Sequence, residues 1–462
     1  MTPLTKVPLA APLLDFQETA LDHALSVQAS YIALDMGLGK TAVGIGVAAA
    51  AKAAGLTPIA IVVPPSLRTN WVREIAKFAP WLTGAVIKST KMQELPDVDV
   101  LIIGDSVLTS WEDALLDNIK TLIIDEAHRH KNMTAGRAKA MARIADTVAG
   151  PRVLLSGTPT PNGRHAELAG QLNILGPTAW KAIGGKGKFW SYYCPRRDSF
   201  GNRGNHDTPG LHTAMQAFMI RMRRDDVIEL PNKGRTALAI EGSGKAARDY
   251  FRIEDDLIAF LMGEDREWRG AARNEALVRM NLLRHTAGLA KVDGVVNHVH
   301  DILDNEPGGV FIVAEHHDVM DALGLKLRYP IVEVRGGMDD YEKQDAVDAF
   351  TSGRARVMIG QVTAAGVGLT LHGGGTNTRV VVAQLPWTPA DLRQAEDRLH
   401  RIGQTKDVQV EIALCALENR WTIDERLWGV LEQKAFQTGE LIDGEGEFLL
   451  ESIQDGVLDS YR

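Results

Sequence analysis

Short apolar, β-branched segments alternate with longer helical patterns along most of the chain, and this alternation restricts the fold more than any other feature. Continuous apolar runs fit strands that are buried on both faces, and helices between such strands predict a parallel sheet. The runs of the first half are YIALD (31–35), IAIVVP (59–64), DVLIIG (99–104), TLIIDE (121–126) and RVLLSG (152–157). Those of the second half are GVFIVAE (309–315), YPIVEVRG (329–336), RVMIGQ (356–361) and RVVVAQ (379–384). The sequence therefore predicts an α/β fold with two parallel-sheet domains in tandem.

The domain boundaries follow from breaks in this alternation. The 462 residues suffice for two or three domains of ordinary size. We predict an N-terminal domain over 1–220, an interdomain hinge over 221–244 and a C-terminal domain over 245–462. Residues 181–210 are rich in Gly, Lys and Arg, so we expect loops there with little regular structure. The hinge opens with a basic cluster of three residues, Arg221, Arg223 and Arg224.

Composition excludes several classes of protein. Hydrophobic residues make up 45% and charged residues 24%, which is typical of globular domains and not of a disordered chain, a collagen or a coiled coil. Two distant cysteines, Cys194 and Cys415, cannot build a disulfide scaffold or a four-cysteine zinc site. The N-terminus is a poor signal peptide, and the most apolar stretch, AVGIGVAAA, is far short of the ~20 residues of a membrane helix. We expect a soluble, cytoplasmic protein with no membrane partner, and we suspect a bacterial or phage origin.

The segment DMGLGKT (35–41) follows a predicted strand and precedes a helical run, which is the context that a phosphate-binding loop requires. Its glycines let backbone N–H groups approach phosphates at a helix N-terminus. Lys40 is predicted to reach the β- and γ-phosphates of ATP, and Thr41 to bind Mg²⁺. Leu34 stands near the place of the first glycine of the strict pattern, so a glycine turn without function is the alternative. The residues predicted to bind nucleotide here are Gly37, Leu38, Gly39, Lys40 and Thr41.

The segment DEAH (125–128) ends the run TLII, and ligands bind at the carboxyl ends of strands in parallel sheets. Asp125 is predicted to hold Mg²⁺ and Glu126 to polarise the attacking water. A surface acidic turn is the alternative, but the position of this motif ~90 residues after a phosphate loop fits two strands of one nucleotide-binding sheet. The next run ends in SGTPTPN (156–162), where hydroxyl groups are predicted to couple the γ-phosphate to motion of the domains. A turn stiffened by proline is the alternative there.

The segment QAEDRLHRIGQ (394–404) is predicted to be helical. Gln394, Arg398 and Arg401 are spaced i, i+4, i+7, so they are expected to share one helical face. Arginine in such a position can stabilise a transferring phosphoryl group. The alternative is a solvated helix in which the arginines pair with Glu396 and Asp397.

These motifs together identify a family. The chain resembles the Swi/Snf-like double-stranded DNA translocases of helicase superfamily two, with motifs in family order from about residue 13 to 440. LLDFQETALDHAL resembles the family's glutamine motif and implies that Gln17 contacts the adenine edge. The other matching segments are DMGLGKT, IVVPPSL (61–67), IDEAH, LLSGTPTPN, TAAGVGLTL (363–371) and LPWTPADLRQAEDRLHRIGQ, and TIDERLWGVLEQK (422–434) resembles the family's bracing helix. Residues 189–235 resemble the branch that contains the annealing helicases.

The resemblance implies two RecA-like domains with an ATP-binding cleft between them and an ATP- and Mg²⁺-dependent motor that steps along duplex or forked DNA. Arg398 and Arg401 would complete the site from the second domain. The residues implied to couple hydrolysis to motion are His128, Ser156, Gly157, Thr158, Gly366 and Gly368. Candidate DNA phosphate contacts are Arg68, Ser106, His130, Lys131, Arg335 and Thr363. A monomer is expected, with a protein partner that directs the motor left open.

Three other functions remain open from the sequence. One is a helicase that separates strands of DNA or RNA, although no wedge element is evident. Another is the motor subunit of a larger nuclease or restriction complex, although no nuclease motif is evident. The third is a DNA-binding scaffold that does not hydrolyse ATP, against which Lys40, the acidic pair and both arginines argue.

Overall fold

The computed structural model describes residues 3–91, 94–160, 164–196, 203–263, 271–361, 369–418, 420–442, 457–458 and 460–461. The chain divides into two units with a boundary between Glu229 and Leu230. This boundary lies inside the segment 221–244 that the sequence assigns to a hinge. Much of that segment is nevertheless regular structure, because a strand of each sheet extends into it.

The first unit is built on a parallel sheet, as the apolar runs predict. Its described strands, in chain order, are β1 (Ala29–Leu34), β2 (Ile59–Val63), β3 (Gly84–Ile87), β4 (Val100–Gly104), β5 (Thr121–Asp125), β6 (Arg152–Leu155) and β7 (Met219–Met222). They lie in the order β3-β4-β2-β5-β6-β1-β7. Every residue of β1, β2, β4 and β5 is buried. Burial on both faces explains why these strands read as continuous apolar runs.

Helices connect these strands and cover the sheet. They are α1 (Asp15–Ser26), α2 (Lys40–Ala53), α3 (Arg68–Phe78), α4 (Leu108–Leu115), α5 (Gly136–Thr147), α6 (Leu168–Leu175), α7 (Pro177–Ala182), α8 (Gly185–Lys188), α9 (Thr208–Met215) and α10 (Arg224–Val227). A 3₁₀ turn, Ala127–His130, follows β5. The core is apolar, and α2 packs so closely that a Cβ at Gly44 would lie 2.8 Å from the Trp71 ring.

The second unit has a parallel sheet of its own, ordered β10-β11-β9-β12-β13-β8. Its described strands are β8 (Lys233–Glu241), β9 (Val310–Ala314), β10 (Ile331–Val334), β11 (Val357–Gln361), β12 (Arg379–Val382) and β13 (Val408–Ala416). Its helices are α11 (Gly244–Gly263), α12 (Ala271–Ala290), α13 (Val292–Asn305), α14 (His317–Lys326), α15 (Asp340–Thr351), α16 (Pro389–Glu396) and α17 (Ile423–Ile442). A buried ion pair between Lys291 and Asp424 fixes the start of α17 to the sheet, since the Lys291 Nζ also donates to the Ala413 carbonyl.

The described part of 181–210 contains more helix than the sequence predicts. The short helix α8 continues directly into a π-helical turn, Phe189–Tyr193. Phe189 and Tyr193 are buried in the core of the first unit, and the Phe189 ring meets Trp180 edge-on at 5.3 Å. The glycines and cations of this segment suggest loop, but its aromatic side chains anchor helical turns.

In the described part of the chain, no helix combines the length and apolar character needed to cross a membrane.

Candidate functional site

The carboxyl ends of three neighbouring strands bring the predicted motifs of the first unit together. Strand β6 lies between β1 and β5 in the sheet. The segment DMGLGKT follows β1, DEAH begins at the last residue of β5, and SGTPTPN follows β6. Ligands bind at this edge of a parallel sheet, so the topology places all three motifs around one site.

The loop after β1 has the backbone of a phosphate-binding turn. Gly37 and Gly39 have positive φ angles of 82° and 72°, a region that favours glycine, and α2 begins directly after Gly39. Thr41 is half-buried in the first turn of this helix. The Lys40 Nζ turns back into the loop and donates to the carbonyls of Leu34 (3.1 Å) and Asp35 (3.2 Å). The ammonium is thus held by two carbonyls of the loop that precedes its helix.

Several carboxylates lie near the buried Lys40 ammonium. Burial lowers the pKa of Lys40, and the negative charges of Glu126, Asp125 and Asp35 oppose this effect. Three carboxylates therefore act on one buried ammonium, which shows that Lys40 and the acidic pair share a site.

Gln17 lies against the phosphate loop. Its side-chain amide donates to the carbonyl of the buried Leu38 (3.0 Å), and its oxygen accepts from the Leu14 N–H (3.0 Å). A Cβ at Gly39 would lie only 2.5 Å from the Gln17 Nε2, so the second glycine also makes room for this side chain. The contact of Gln17 with the adenine edge stays a prediction.

Asp125 is held in place by a residue that the sequence did not single out. The indole N–H of the fully buried Trp71 donates to Asp125 Oδ2 (2.9 Å), and the Glu126 N–H donates to Oδ1 (2.9 Å). Burial, together with the neighbouring Glu126 charge, raises the pKa of Asp125 to about 6. The carboxylate is thus oriented by two donors and lacks a full countercharge, as expected for a group that binds a cation.

Glu126 occupies a strained backbone position. Its φ of 49° and ψ of 48° lie in the left-handed region, which a non-glycine residue seldom adopts. The turn lets the Glu126 carboxylate approach the imidazole of His128, with 3.2 Å between Oε2 and Nδ1. The same Nδ1 lies 2.9 Å from the Ser156 hydroxyl. The DEAH and SGTPTPN segments are therefore linked by one imidazole, and the coupling role of His128 and Ser156 stays a prediction.

The SGTPTPN loop passes directly over the phosphate loop. A Cβ at Gly157 would lie 3.1 Å from the Met36 amide nitrogen and 3.2 Å from the Leu34 carbonyl, so a side chain would press on this backbone. Ser156 and Thr158 are buried, and the Thr158 N–H donates to the Ser156 hydroxyl (3.2 Å). The SGTPTPN loop and the phosphate loop are thus packed closely against each other.

A buried pair that no sequence motif marks supports the same loop. The Tyr31 hydroxyl donates to the Gln171 side-chain oxygen (2.6 Å), and the Gln171 amide donates to the carbonyls of Pro159 (2.8 Å) and Glu167 (2.9 Å). Burial raises the pKa of Tyr31, so its hydroxyl remains a donor. The pair fixes Pro159 relative to β1 and α6.

Two arginines of the basic cluster in the predicted hinge, Arg221 and Arg224, contact the phosphate loop. Arg221 Nη2 donates to Asp35 Oδ1 (2.6 Å), the Arg224 N–H donates to Oδ2 (2.9 Å), and Arg224 Nη2 donates to the Met36 carbonyl (2.9 Å). The Asp35 N–H donates in turn to the Met222 carbonyl (3.1 Å). We call this set of contacts the loop clamp. Sequence reasoning missed it because β7 pairs with β1 across nearly 190 residues of chain.

Arg398 and Arg401 contact the same carbonyl group, but they do not share the helical face that the sequence predicts. Helix α16 carries the half-buried Gln394 but ends at Glu396, so Arg398 and Arg401 are not on its face. Both side chains turn instead to the Leu369 carbonyl, with N–O distances of 3.1 Å for Arg398 and 2.9 Å for Arg401. The predicted helical face is therefore wrong, although the two arginines do come together.

Glu396 is engaged by strand β8. Its fully buried carboxylate accepts from the Lys233 Nζ (2.9 Å) and from two nitrogens of Arg235 (2.8 Å each). The turn that carries the two arginines is thus fixed to the edge of the second sheet.

The predicted DNA contacts have different outcomes. Arg68 and the exposed Ser106 lie together beside Gly104, while Lys131 pairs with Glu167 (2.8 Å). Arg335 pairs with Asp321 and Glu333. His130 is only 1% exposed, and burial lowers its pKa to about 4, so the prediction that it contacts DNA is wrong for the surface described here. Three predicted residues lie outside the described ones: Thr363, Gly366 and Gly368.

Two further cations lie near the DEAH segment. The buried Asp105 carboxylate accepts from Arg129 (2.6 Å) and lies 3.6 Å from an Arg137 nitrogen. Both arginine side chains are more than one-third exposed, so each keeps part of its guanidinium in solvent. With Arg68, they form a basic surface at the carboxyl ends of β4 and β5.

The fold and the site define a class: an α/β nucleotide-binding protein with a glycine phosphate loop, an acidic pair and a second parallel-sheet unit that carries paired arginines. The SNF2-related domain model matches residues 17–286, and the helicase conserved C-terminal domain model matches residues 292–403. The first match covers more than half of the chain. The chain therefore belongs to the SNF2-related family, and its two units are the tandem RecA-like domains of that family.

Several known proteins are similar over nearly the whole chain. The Bos taurus DNA annealing helicase and endonuclease ZRANB3 is 30% identical over 96% of this chain and 41% of its own length. The Bos taurus SWI/SNF-related matrix-associated actin-dependent regulator of chromatin subfamily A-like protein 1 is 29% identical over 94% of this chain and 45% of its own length. The chain thus spans less than half of these curated relatives. The Sulfolobus solfataricus SWI2/SNF2 ATPase core in complex with dsDNA aligns with 22% identity and a TM-score of 0.44, over 100% of this chain and 97% of that chain.

Proposed function

We propose that the protein is an ATP hydrolase that is stimulated by duplex DNA and translocates along it. The observation that carries the proposal is the convergence of Lys40, Asp125 and Glu126 at one sheet edge, in a chain that belongs to the SNF2-related family. The imidazole of His128 links this site to Ser156, which supports coupling of hydrolysis to movement. Direct base readout is not needed by a motor that must pass any sequence, so we expect contacts to DNA phosphates.

The residues present fit Mg²⁺. Hard cations prefer oxygen ligands, and Mg²⁺ is commonly held by one or two protein groups together with substrate phosphates. Asp125 offers an oriented, buried carboxylate, and Thr41 offers a hydroxyl in the first turn of α2. Among the described residues no cluster of three His, Cys, Asp or Glu forms a separate metal cage. We propose that Asp125 and Thr41 hold Mg²⁺, which would neutralise charge on the phosphates.

The roles of the protein's own groups follow from their surroundings. Lys40 exchanges its two loop carbonyls for phosphate oxygens, and the N–H groups of the phosphate loop hold the remaining charge. Glu126 orients the attacking water. His128 contacts both the Glu126 carboxylate and the Ser156 hydroxyl, and it thereby couples this carboxylate to the SGTPTPN loop. These groups act mainly by positioning and electrostatic stabilisation, as expected for phosphoryl transfer.

The DNA substrate is proposed from two sources. The half-buried Arg68, Arg129 and Arg137 supply cationic groups at the carboxyl edge of the first sheet, near the acidic pair. A relative that is similar along this whole chain is named a DNA annealing helicase. We therefore propose duplex DNA as the track and forked DNA as a preferred substrate.

Steady-state ATP hydrolysis tests the proposal. It is measured without nucleic acid and with duplex DNA, single-stranded DNA, forked DNA and RNA. We expect strong stimulation by duplex DNA and a further rise with forks. Lys40→Ala should abolish most turnover, whereas Lys52→Ala, at the far end of the same helix, should not. A folded, ATP-binding protein that no nucleic acid stimulates would refute the proposal, as would full activity of Lys40→Ala.

The arginine of the second unit can be tested separately. If Arg401 stabilises the transferring phosphoryl group, Arg401→Ala lowers kcat by about 10³-fold or more. An unchanged kcat with a raised KM would show instead that Arg401 contributes only to binding of the ground state.

A further inference from the structure

A basic surface in the first unit is not explained by the nucleotide site. Residues 168–206 contain six Lys or Arg residues and one Asp, a net charge of +5 in a chain whose total is −8. Four of these cations are described as exposed, and so is one aromatic residue among them. We call these five residues the arm surface: Lys181, Lys186, Lys188, Tyr192 and Arg196.

Two lysines of the arm surface lie over buried aromatic rings. The Lys186 Nζ lies 5.3 Å from the centre of the Trp180 ring, and the Lys188 Nζ lies 5.1 Å from that of Tyr193. Trp180 and Tyr193 belong to the core of the first unit. Cation–π contact restricts where each ammonium can go without removing it from solvent. The positive charge is thus held at defined places on the surface.

The backbone beneath the arm surface is fixed as well. His165 Nδ1 lies 2.9 Å from the Tyr193 carbonyl, and Arg203 Nη1 donates to the carbonyls of Trp190 (3.0 Å) and Cys194 (2.8 Å). A ligand that binds here therefore meets a surface that is already ordered, which reduces the entropy lost on binding.

Tyr192 gives the arm surface an aromatic group. Its side chain is 41% exposed although the neighbouring Tyr193 is buried. The His206 ring meets it edge-on at 4.6 Å, and its hydroxyl donates to Asp207 Oδ2 (3.2 Å). Asp207 also accepts from the Gly210 N–H at the start of α9 (3.0 Å), so this carboxylate is engaged locally. The Lys188 Nζ lies 5.6 Å from the centre of the Tyr192 ring. The ring is thus fixed in orientation, and its remaining exposed area is where a base can stack beside this cation.

We propose that the arm surface binds one arm of a forked DNA, with its cations on backbone phosphates and Tyr192 stacked on an unpaired base. The inference rests on the proposed function, because only a DNA motor gives this surface a DNA partner. Fixed cations suit a polyanion, and an exposed aromatic among them favours unpaired nucleotides, since every base has a face that can stack. The contact is separate from the basic surface at Arg68, Arg129 and Arg137.

The salt dependence of binding tests the phosphate contacts. Each contact with duplex DNA contributes about 0.9 to the slope of log K against log salt concentration, and with a single strand about 0.7. Lys186→Gln/Lys188→Gln should therefore reduce the slope for forked DNA by about 1.4 to 1.8. The matched control is Lys88→Gln/Lys91→Gln, two exposed lysines elsewhere in the first unit, which should leave the slope unchanged. Basal ATP hydrolysis should be equal in all three proteins.

Tyr192→Ala tests stacking. We expect about 5- to 150-fold weaker binding to a fork with a single-stranded arm, the range for loss of one aromatic–base stack, and unchanged binding to a blunt duplex of equal length. Tyr192→Phe should keep the wild-type affinity.

Either of two results would refute the proposal that the arm surface binds DNA. One is a salt-dependence slope of Lys186→Gln/Lys188→Gln equal to that of the control variant. The other is an equal loss of fork and blunt-duplex binding in Tyr192→Ala. A wild-type protein that binds no DNA and shows no DNA-stimulated turnover would refute the proposed function instead, so the two failures are distinct.

Discussion

The loop clamp should set the affinity for nucleotide, and Asp35→Asn tests this directly. The Asp35 carboxylate is the centre of the clamp, since it accepts from the Arg221 side chain and from the Arg224 N–H. The substitution keeps the shape of the side chain but removes its charge. We expect the phosphate loop to populate other conformations and the apparent affinity for ADP to fall in proportion.

The size of this effect follows from the geometry. A hydrogen bond to a charged group is worth about 1.5–3 kcal/mol when buried, and an exposed ion pair is worth about 0–1 kcal/mol. The Asp35 side chain is 28% exposed and that of Arg221 is 12% exposed, so the clamp lies between these limits. A stabilisation of about 1–3 kcal/mol corresponds to an affinity change of roughly 5- to 150-fold.

Equilibrium binding of a fluorescent ADP analogue without metal measures this change. Arg221→Gln should weaken binding similarly, and the double variant should be no weaker than the single ones, because both remove the same contact. Asp99→Asn is the matched control: Asp99 pairs with Lys52 (2.7 Å) just before β4, at the opposite edge of the sheet. Binding of Asp35→Asn within twofold of wild type, or an equal loss in Asp99→Asn, would show that the clamp does not hold the loop for nucleotide.

Three further predictions concern buried groups. Lys291→Met leaves the Asp424 charge buried and unpaired, so urea denaturation should show a loss of about 3–5 kcal/mol, and Lys291→Met/Asp424→Leu should regain most of it. Burial raises the pKa of both cysteine thiols to about 12, so Cys194 and Cys415 should not react with a thiol reagent at pH 8 until the protein is unfolded. Because the pKa of His130 is about 4 when folded and about 6.5 when unfolded, the unfolded chain takes up its proton first. Its contribution to stability is thus lost as pH falls from about 6.5 to about 4, and His130→Gln should lose less stability than wild type between pH 7 and pH 5.

The apolar runs located most interior strands of both sheets because those strands are buried on both faces, but they missed β13, which lies between β12 and β8. The strands that the sequence did not reveal are mostly edge strands or strands that carry charge. Strand β3 is short and only partly buried, and β8, at the end of its sheet, has only half-buried and exposed residues. Strand β7 contains Arg221, whose charge is satisfied only after the chain has folded onto β1. A local apolar pattern cannot report such long-range compensation.

The site residues also divide into those that a local sequence pattern marks and those that only the fold brings together. Lys40, Asp125 and Glu126 could be predicted because motif order and strand–loop–helix context place them at one sheet edge. Trp71 could not, because its indole N–H meets Asp125 across 54 residues of sequence and no local pattern marks it as a partner. The missed groups all position a motif residue from another part of the chain.

For the arginines of the second unit, the local structure predicted from the sequence is wrong, whereas their chemical role stays a prediction. Spacing of i, i+4, i+7 would align Gln394, Arg398 and Arg401 on a continuous helix, yet α16 ends at Glu396. The buried Glu396 carboxylate is drawn to Lys233 and Arg235 of β8, and the chain then continues in turns. Those turns direct both arginines to one carbonyl, that of Leu369.

Two loop carbonyls are weaker partners for the Lys40 ammonium than a charged acceptor would be. The first unit therefore holds this cation on neutral acceptors that a phosphate oxygen could replace with a stronger, charge-assisted bond. Asp125 is a carboxylate whose pKa is raised by burial and by the neighbouring charge of Glu126. Within the first unit, a buried ammonium held by two carbonyls and a buried carboxylate held by an indole and an amide are what a site for a nucleotide phosphate chain with its metal ion should contain. This charge pattern supports ATP binding without reference to any relative.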